Sequence, residues 1–124
     1  DMDGLKSIND TYGHSEGDYG INSVAAAVSS VTRNNEICIR AGGDEFCLIG
    51  VGKYSAIDLI IRTERLNLAL TEINKSSGKP YDISASVGTA MCLFTNDLNI
   101  DRLLEEADAN MYKNKISRKK QRTN

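Results

Sequence analysis

Two clusters of carboxylates stand out in this chain of 124 residues. The first is Asp1-Met2-Asp3, followed at short intervals by Lys6, Asn9, His14 and Asp18. The second is the run Arg40-Ala41-Gly42-Gly43-Asp44-Glu45-Phe46. Packing gives no reason for acids beside a glycine pair, and close carboxylates repel one another unless a cation lies between them. Magnesium takes hard oxygen ligands, commonly one or two carboxylates completed by substrate phosphates. If the two clusters meet in space, they form such a site. Taken singly, each piece has a plainer reading. Asp-x-Asp is common in turns, and Gly42-Gly43-Asp44 alone is an ordinary hairpin turn. A calcium loop wants its glycine at the sixth position, whereas Gly4 is fourth. His14 suits a loop or a helix cap, and Asn9 with Asp10 could stop a short helix.

The elements that must position these residues follow from periodicity. Ile21, Val24, Ala25, Val28 and Val31 keep helical spacing, which predicts a helix over Gly17 to Thr32. Ser55 and Asp58 form a capping box for a second helix running to about Asn74, stopped by Gly78 and Pro80. Ile100, Leu103, Leu104, Ala107 and Met111 make the apolar stripe of a third, with Asn99 as N-cap. Two short β-like runs, Ile37 to Arg40 and Phe46 to Val51, flank the glycine pair and predict a hairpin whose turn uses positive φ at glycine. A two-residue Gly42-Gly43 turn would pair Ala41 with Asp44 and set Cys38 opposite Cys47, both as free thiols, with Ile37, Ile39, Phe46 and Leu48 on one apolar face. Tyr81 to Phe94 reads as a longer strand bent at Gly88. Arg118 to Arg122 reads as a frayed, solvated tail or a phosphate contact. The order helix, strand, strand, helix, strand, helix implies an α/β sandwich and not a Rossmann repeat.

Composition bounds the function. The formal net charge of −2 argues against a nucleic-acid partner. Cys38, Cys47 and Cys92 are scattered without CxxC spacing, so neither a disulfide scaffold nor a zinc site is expected, and a reducing cytoplasm is. No apolar run is long enough for a membrane span, although the parent protein could carry spans upstream.

The motifs together are far more specific than their parts. Asp1 through Asp18 resembles the D-x-D-x-F-K-x-I-N-D-x-x-G-H-x-x-G-D segment of GGDEF-domain diguanylate cyclases. Gly42-Gly43-Asp44-Glu45-Phe46 spells the motif that names that family. Ser84-Ala85-Ser86-Val87-Gly88 resembles a family strand, and Ala107 to Lys115 resembles the terminal A-D-x-x-M-Y-x-x-K. The resemblance spans the whole chain. It implies a nucleotidyl-cyclase-like sandwich, with a central, largely antiparallel sheet flanked by helices, and an enzyme condensing two GTP into cyclic di-GMP and pyrophosphate. The alternative within the family is a regulatory module that binds nucleotide without turnover.

The resemblance also implies roles. Asp1, the Met2 carbonyl and Asp44 would hold Mg2+ or Mn2+. Asp44 would serve as general base, with Glu45 and Lys6 in the catalytic group. Asn9 and Asp18 would read the guanine edge, and His14 would make a further nucleotide contact. Gly42 and Gly43 would let the backbone approach the triphosphate, which Lys115 and Lys119 would also contact. Arg33 and Glu36 stand where the family has its R-x-x-D product-inhibition site, with glutamate replacing aspartate. Lys119 stands where arginine is usual and would act as a point charge. Leu5 replaces phenylalanine, an apolar swap. A homodimer and an upstream sensor domain are implied as partners. Family members carry an N-terminal helix and a first strand before the D-x-D, so residues 1–124 read as the catalytic domain without those two elements. A chain of that extent, made alone, is expected to be inactive as a cyclase, and either to rearrange its sheet, to borrow a strand from a second copy or to aggregate.

Overall fold

The computed structural model of the chain describes residues 1–123, with side chains to Gln121. Its elements in order are α1 (Leu5–Tyr12), α2 (His14–Val31), β1 (Glu36–Arg40), β2 (Phe46–Gly50), α3 (Ala56–Ser77) and α4 (Ile100–Thr123). The expected first helix is therefore longer than its apolar repeat, beginning at His14, and a short separate helix precedes it. Gly13 serves both, closing α1 and opening α2 with φ 98°, a conformation that disfavours any side chain. Its N–H donates to the Asn9 carbonyl at 2.9 Å.

Of the apolar repeat of α2, Ile21, Val24 and Val28 are buried, Ala25 and Val31 only partly, and Ala27 joins the core in addition. Ile21, Val24, Ala27 and Val28 are buried against Leu66 and Leu70 of α3, Ile8 of α1, and Met2, Ile83 and Ala85. Each such large side chain contributes roughly 1.5–3 kcal/mol on leaving water. Gly20 allows the Met2 thioether to lie against the helix, because a Cβ there would stand 2.4 Å from Met2 Cε. α3 starts with the predicted capping box, the Ser55 N–H donating to Asp58 Oδ2 and the Asp58 N–H donating to Ser55 Oγ. It ends at Gly78 in the left-handed region. Asn99 accepts from the Arg102 N–H at the start of α4 as expected. The α4 stripe is only partly covered: Leu103, Ala107 and Met111 are partly buried, whereas Ile100 and Leu104 are exposed. α4 docks instead on Gly88, where a Cβ would lie 2.0 Å from the Ala107 carbonyl. The basic end, 118–123, continues α4 and is not a frayed tail.

The hairpin departs from its expected register. β1 and β2 pair antiparallel as Arg40↔Phe46, Ile39↔Cys47, Cys38↔Leu48 and Ile37↔Ile49. The turn takes three residues, Gly42-Gly43-Asp44, because the Ala41 N–H donates to the Glu45 carbonyl at 2.9 Å. Arg40 fastens it, with Nε and Nη2 donating to the carbonyls of Gly42 and Gly43 at 3.2 and 2.6 Å. Neither glycine adopts positive φ. The extra residue shifts the pairing by one, and a shift of one exchanges faces. Cys38 and Cys47 therefore lie on opposite faces, both as free thiols whose pKa burial pushes up. The expected apolar face does not form: Ile37 and Ile39 are exposed, while Phe46 packs against the core.

The segment expected as a strand, Tyr81 to Phe94, holds a single antiparallel bridge, Met2↔Ala85. Side chains satisfy its backbone where a neighbouring strand would otherwise do so. The Asn74 amide both donates to and accepts from Ile83, Asn114 accepts from the Val87 N–H, and Asn110 donates to the Thr89 carbonyl. The result is an α/β arrangement with a two-stranded antiparallel sheet flanked by helices. No described helix is long and apolar enough to cross a membrane.

Candidate functional site

Residues 1–3 lie between the hairpin turn and the segment 84–86. The Met2 N–H donates to the Asp44 carbonyl at 2.8 Å on one side. On the other, Asp3 N–H donates to the Ser84 carbonyl at 2.8 Å and Ser86 N–H to the Asp1 carbonyl at 2.9 Å. The two acidic clusters are thus clamped together by main chain. The Asp1 side chain is largely covered, Oδ1 has no hydrogen-bond partner, and Lys115 Nζ stands 3.7 Å from it.

Asp3, counted by sequence in the acidic cluster, is committed to the fold. It is buried and accepts from the Ser84 and Ser86 hydroxyls at 2.9 and 2.6 Å, with Arg118 Nε 3.8 Å away. Arg118 also donates to the Ala85 carbonyl. The alternation of Ser84 and Ser86 carried that signal, since residues two apart in extended chain share a face.

Among the described residues no group of three or more His, Cys, Asp or Glu side chains could hold a metal ion by itself. The donors nonetheless suit magnesium, which commonly takes one or two carboxylates and completes its shell with phosphates and water. Asp1 Oδ1, buried without a hydrogen-bond partner and balanced only by Lys115 at 3.7 Å, is the observation that fits such an ion, with the Asp44 main chain drawn alongside by the Met2 clamp. Met2 is wholly buried, so its carbonyl is not presented to solvent.

The candidate base-reading residues gather at the α1–Gly13–α2 junction. Asn9 Oδ1 is buried without a partner, and a Cβ on Gly17 would stand 1.7 Å from it. His14 and Asp18 are exposed, one turn apart on α2. Glu16, which the sequence reading passed over, crosses to residues far along the chain. It accepts from the Tyr81 hydroxyl and from Lys79 Nζ at 3.0 Å. Those two hydrogen bonds hold its carboxyl below the ordinary range. No local spacing signals a partner more than sixty residues away.

Two expected residues stay apart from this centre. Lys6 is exposed and pairs with Asp10 at 3.6 Å along α1. Lys119 is exposed on α4, where its neighbour Arg118 makes the inward contact. Gly42 and Gly43 are exposed, and a Cβ on Gly43 would meet nothing within 4 Å.

Arg33 and Glu36 lie at the far end of the hairpin. Glu36 accepts from Arg62 Nη1 at 2.5 Å, the Tyr54 hydroxyl at 2.6 Å and the Arg33 N–H at 2.8 Å. Burial opposes its ionisation, yet these three bonds outweigh that and hold its carboxyl at about 2. A hollow of about 300 Å³ beside it is lined by Arg33, Arg62, Arg65 and Asp58. A larger cavity, about 610 Å³, lies between α1, α3 and residues 81–84, and takes in neither Asp1 nor Asp44.

Residues 1–121 match the family model described as the diguanylate cyclase, GGDEF domain. The chain is 33% identical to diguanylate cyclase A of Treponema denticola over 116 residues, covering 93% of this chain and 31% of that protein. It is 32% identical to diguanylate cyclase DosC of Escherichia coli over 114 residues, covering 90% of this chain and 24% of that protein. It therefore spans about a quarter to a third of the length of these relatives. Among solved structures it resembles the GGDEF domain of YfiN (TpbB) from Pseudomonas aeruginosa, with a TM-score of 0.80, 28% identity, and coverage of 94% of this chain and 73% of that one. It also resembles the GGDEF domain of DgcB from Caulobacter crescentus, solved in complex with c-di-GMP, with a TM-score of 0.77, 26% identity, and coverage of 94% and 69%. With two acidic clusters clamped by main chain and a family match that runs from the first of them to residue 121 within α4, the chain belongs to the GGDEF-domain family of diguanylate cyclases.

Proposed function

We propose that this chain is the catalytic domain of a diguanylate cyclase that condenses two GTP into cyclic di-GMP. The observation that carries the reading is the Met2 N–H to Asp44 carbonyl bond, which sets two acidic clusters from distant parts of the chain side by side. In each step a ribose 3′-hydroxyl of one GTP attacks the α-phosphorus of the other. The new P–O bond forms as the bond to pyrophosphate breaks. Asp44 would take the hydroxyl proton, with Glu45 beside it. Lys115, 3.7 Å from Asp1, offsets charge on the phosphates. Such positioned charges supply most of the catalysis in phosphoryl transfer. A Mg2+ or Mn2+ ion held by Asp1 and Asp44 would neutralise the developing charge. The open space over Gly43 leaves room for the triphosphate.

Asn9 and Asp18 supply acceptors for the N1–H and N2–H of guanine, with His14 nearby. One domain holds one GTP, so two copies must face one another, and a homodimer follows from the mechanism. Arg33 at the rim of the basic hollow is the group free to meet product phosphate, since the Glu36 carboxylate is engaged by Arg62 and Tyr54. The reading places the domain in the cytoplasm, under control of a further domain.

One observation favours the alternative of a nucleotide-binding module without turnover: Lys6 pairs with Asp10 and not with the acidic centre. A single experiment separates the two. The full-length protein is incubated with GTP and Mg2+, and the products are examined by mass spectrometry beside an Asp44→Ala control. Cyclic di-GMP in the first sample and not the second supports the cyclase. GTP binding without product in either supports the module.

A further inference from the structure

We infer that Glu16 and Tyr81 are positioning residues that set base specificity by locking the α1–α2 junction. The inference rests on the proposal that Asn9 and Asp18 read guanine. Asn9 belongs to α1, and His14 and Asp18 belong to α2, so what they can recognise depends on the angle between two helices joined by one glycine. Gly13 supplies no side-chain cap and holds that angle only by backbone. The angle is fixed from outside. Glu16, in the first turn of α2, does not fold back as a capping box would, but accepts from Tyr81 and Lys79. The Tyr81 ring packs on Tyr12, the last residue of α1, with centroids 4.8 Å apart. One side chain thus grips the end of the first helix with its ring and the start of the second with its hydroxyl. Lys79 reinforces the grip, its ammonium lying 4.7 Å from the centre of the Tyr19 ring.

The consequence falls on Asn9. A buried acceptor with no protein partner is stable only if a ligand or water meets it. Gly17 is already in close approach to it, so a small change in helix angle would move that acceptor out of register with Asp18.

The test measures binding of GTP and of inosine triphosphate, which lacks the 2-amino group, to the full-length protein by calorimetry. Tyr81→Phe keeps the ring and removes the hydroxyl. Loss of one such hydrogen bond should weaken GTP binding roughly three- to tenfold and lower the GTP-to-inosine ratio by a similar factor. Glu16→Ala should do the same, while Glu16→Gln, which keeps an acceptor, restores much of the ratio. Equal weakening of both nucleotides marks general loosening and overturns the inference. So does an unchanged ratio in Tyr81→Phe and Glu16→Ala when Asn9→Ala and Asp18→Ala lower it. If those direct variants also leave the ratio unchanged, the guanine site lies elsewhere, and the parent reading falls together with this one.

Discussion

The turn between β1 and β2 and the junction between α1 and α2 each carry candidate site residues, yet they are held in opposite ways. The turn exposes Gly42 and Gly43 and leaves Asp44 half-buried, tied down by Arg40, the Ala41–Glu45 bond and the Met2 N–H. The junction is braced by Tyr12, Tyr81, Glu16 and Lys79, and it carries a buried acceptor, Asn9 Oδ1, without a hydrogen-bond partner. The chemistry proposed for each explains the contrast. A triphosphate with its ion needs room and main-chain access, whereas telling guanine from another base needs acceptors fixed to within a fraction of an ångström. Substitutions at the turn should therefore cost turnover without stability, and substitutions at the junction should cost both.

The largest effect is expected from Asp44→Ala. Its main-chain bond to Met2 survives the change, so the melting temperature should stay close to that of the wild type. Turnover should fall by a factor on the order of 10²–10⁴, the range for removing a general base. Near-normal product formation by the folded variant would break the assignment of the turn to chemistry.

Next comes the base of the hairpin, which sharpens the contrast because it is anchored where the tip is free. Glu36→Ala would leave the Arg62 guanidinium, 11% exposed, without its carboxylate. Breaking such a buried pair costs about 3–5 kcal/mol, which chemical denaturation would register. The pH dependence has a definite sign. A carboxyl held at about 2 stabilises the fold fully above the ordinary value of 4.5, and that contribution disappears as pH falls from 4.5 towards 2. Wild type should lose stability across that window more steeply than Glu36→Ala. Parallel curves would mean the network is not what anchors the hairpin.

Gly17→Ala tests the junction. The added methyl would stand 1.7 Å from Asn9 Oδ1, so Asn9 must turn away. Overpacking of this kind costs about 1–3 kcal/mol, and GTP affinity should fall with it. A stable variant with unchanged GTP binding would separate Asn9 from base reading.

The smallest effect on stability belongs to Gly43→Ala. Nothing lies within 4 Å of the new methyl and the backbone is not left-handed, so the change should stay within about 0.5 kcal/mol by thermal melting. GTP binding should nonetheless weaken if phosphates approach that backbone. Loss of stability with intact binding would reverse the roles assigned to turn and junction.

The sequence by itself determined three of the four helices and the family. Ser55 and Asp58 marked the start of α3, Asn99 that of α4, and the repeat from Ile21 to Val28 the buried face of α2, because caps and helical periodicity are local. The motifs around Asp1 and Gly42-Gly43-Asp44-Glu45 named the family. Tertiary structure decided what depends on partners distant in sequence. The glycine turn holds three residues, with its Asp44 carbonyl bonded by the distant Met2 N–H, and that one extra residue exchanged the hairpin faces. Whether 81–94 became a strand was decided by Asn74, Asn110 and Asn114, whose amides satisfy its backbone from the helices. Asp3 and Glu16 could be seen as acids, but the serines that engage the one and the tyrosine that holds the other stand more than sixty residues away. Residue type is written in the chain, whereas the partner that gives a buried charge its role is chosen only when the chain has folded.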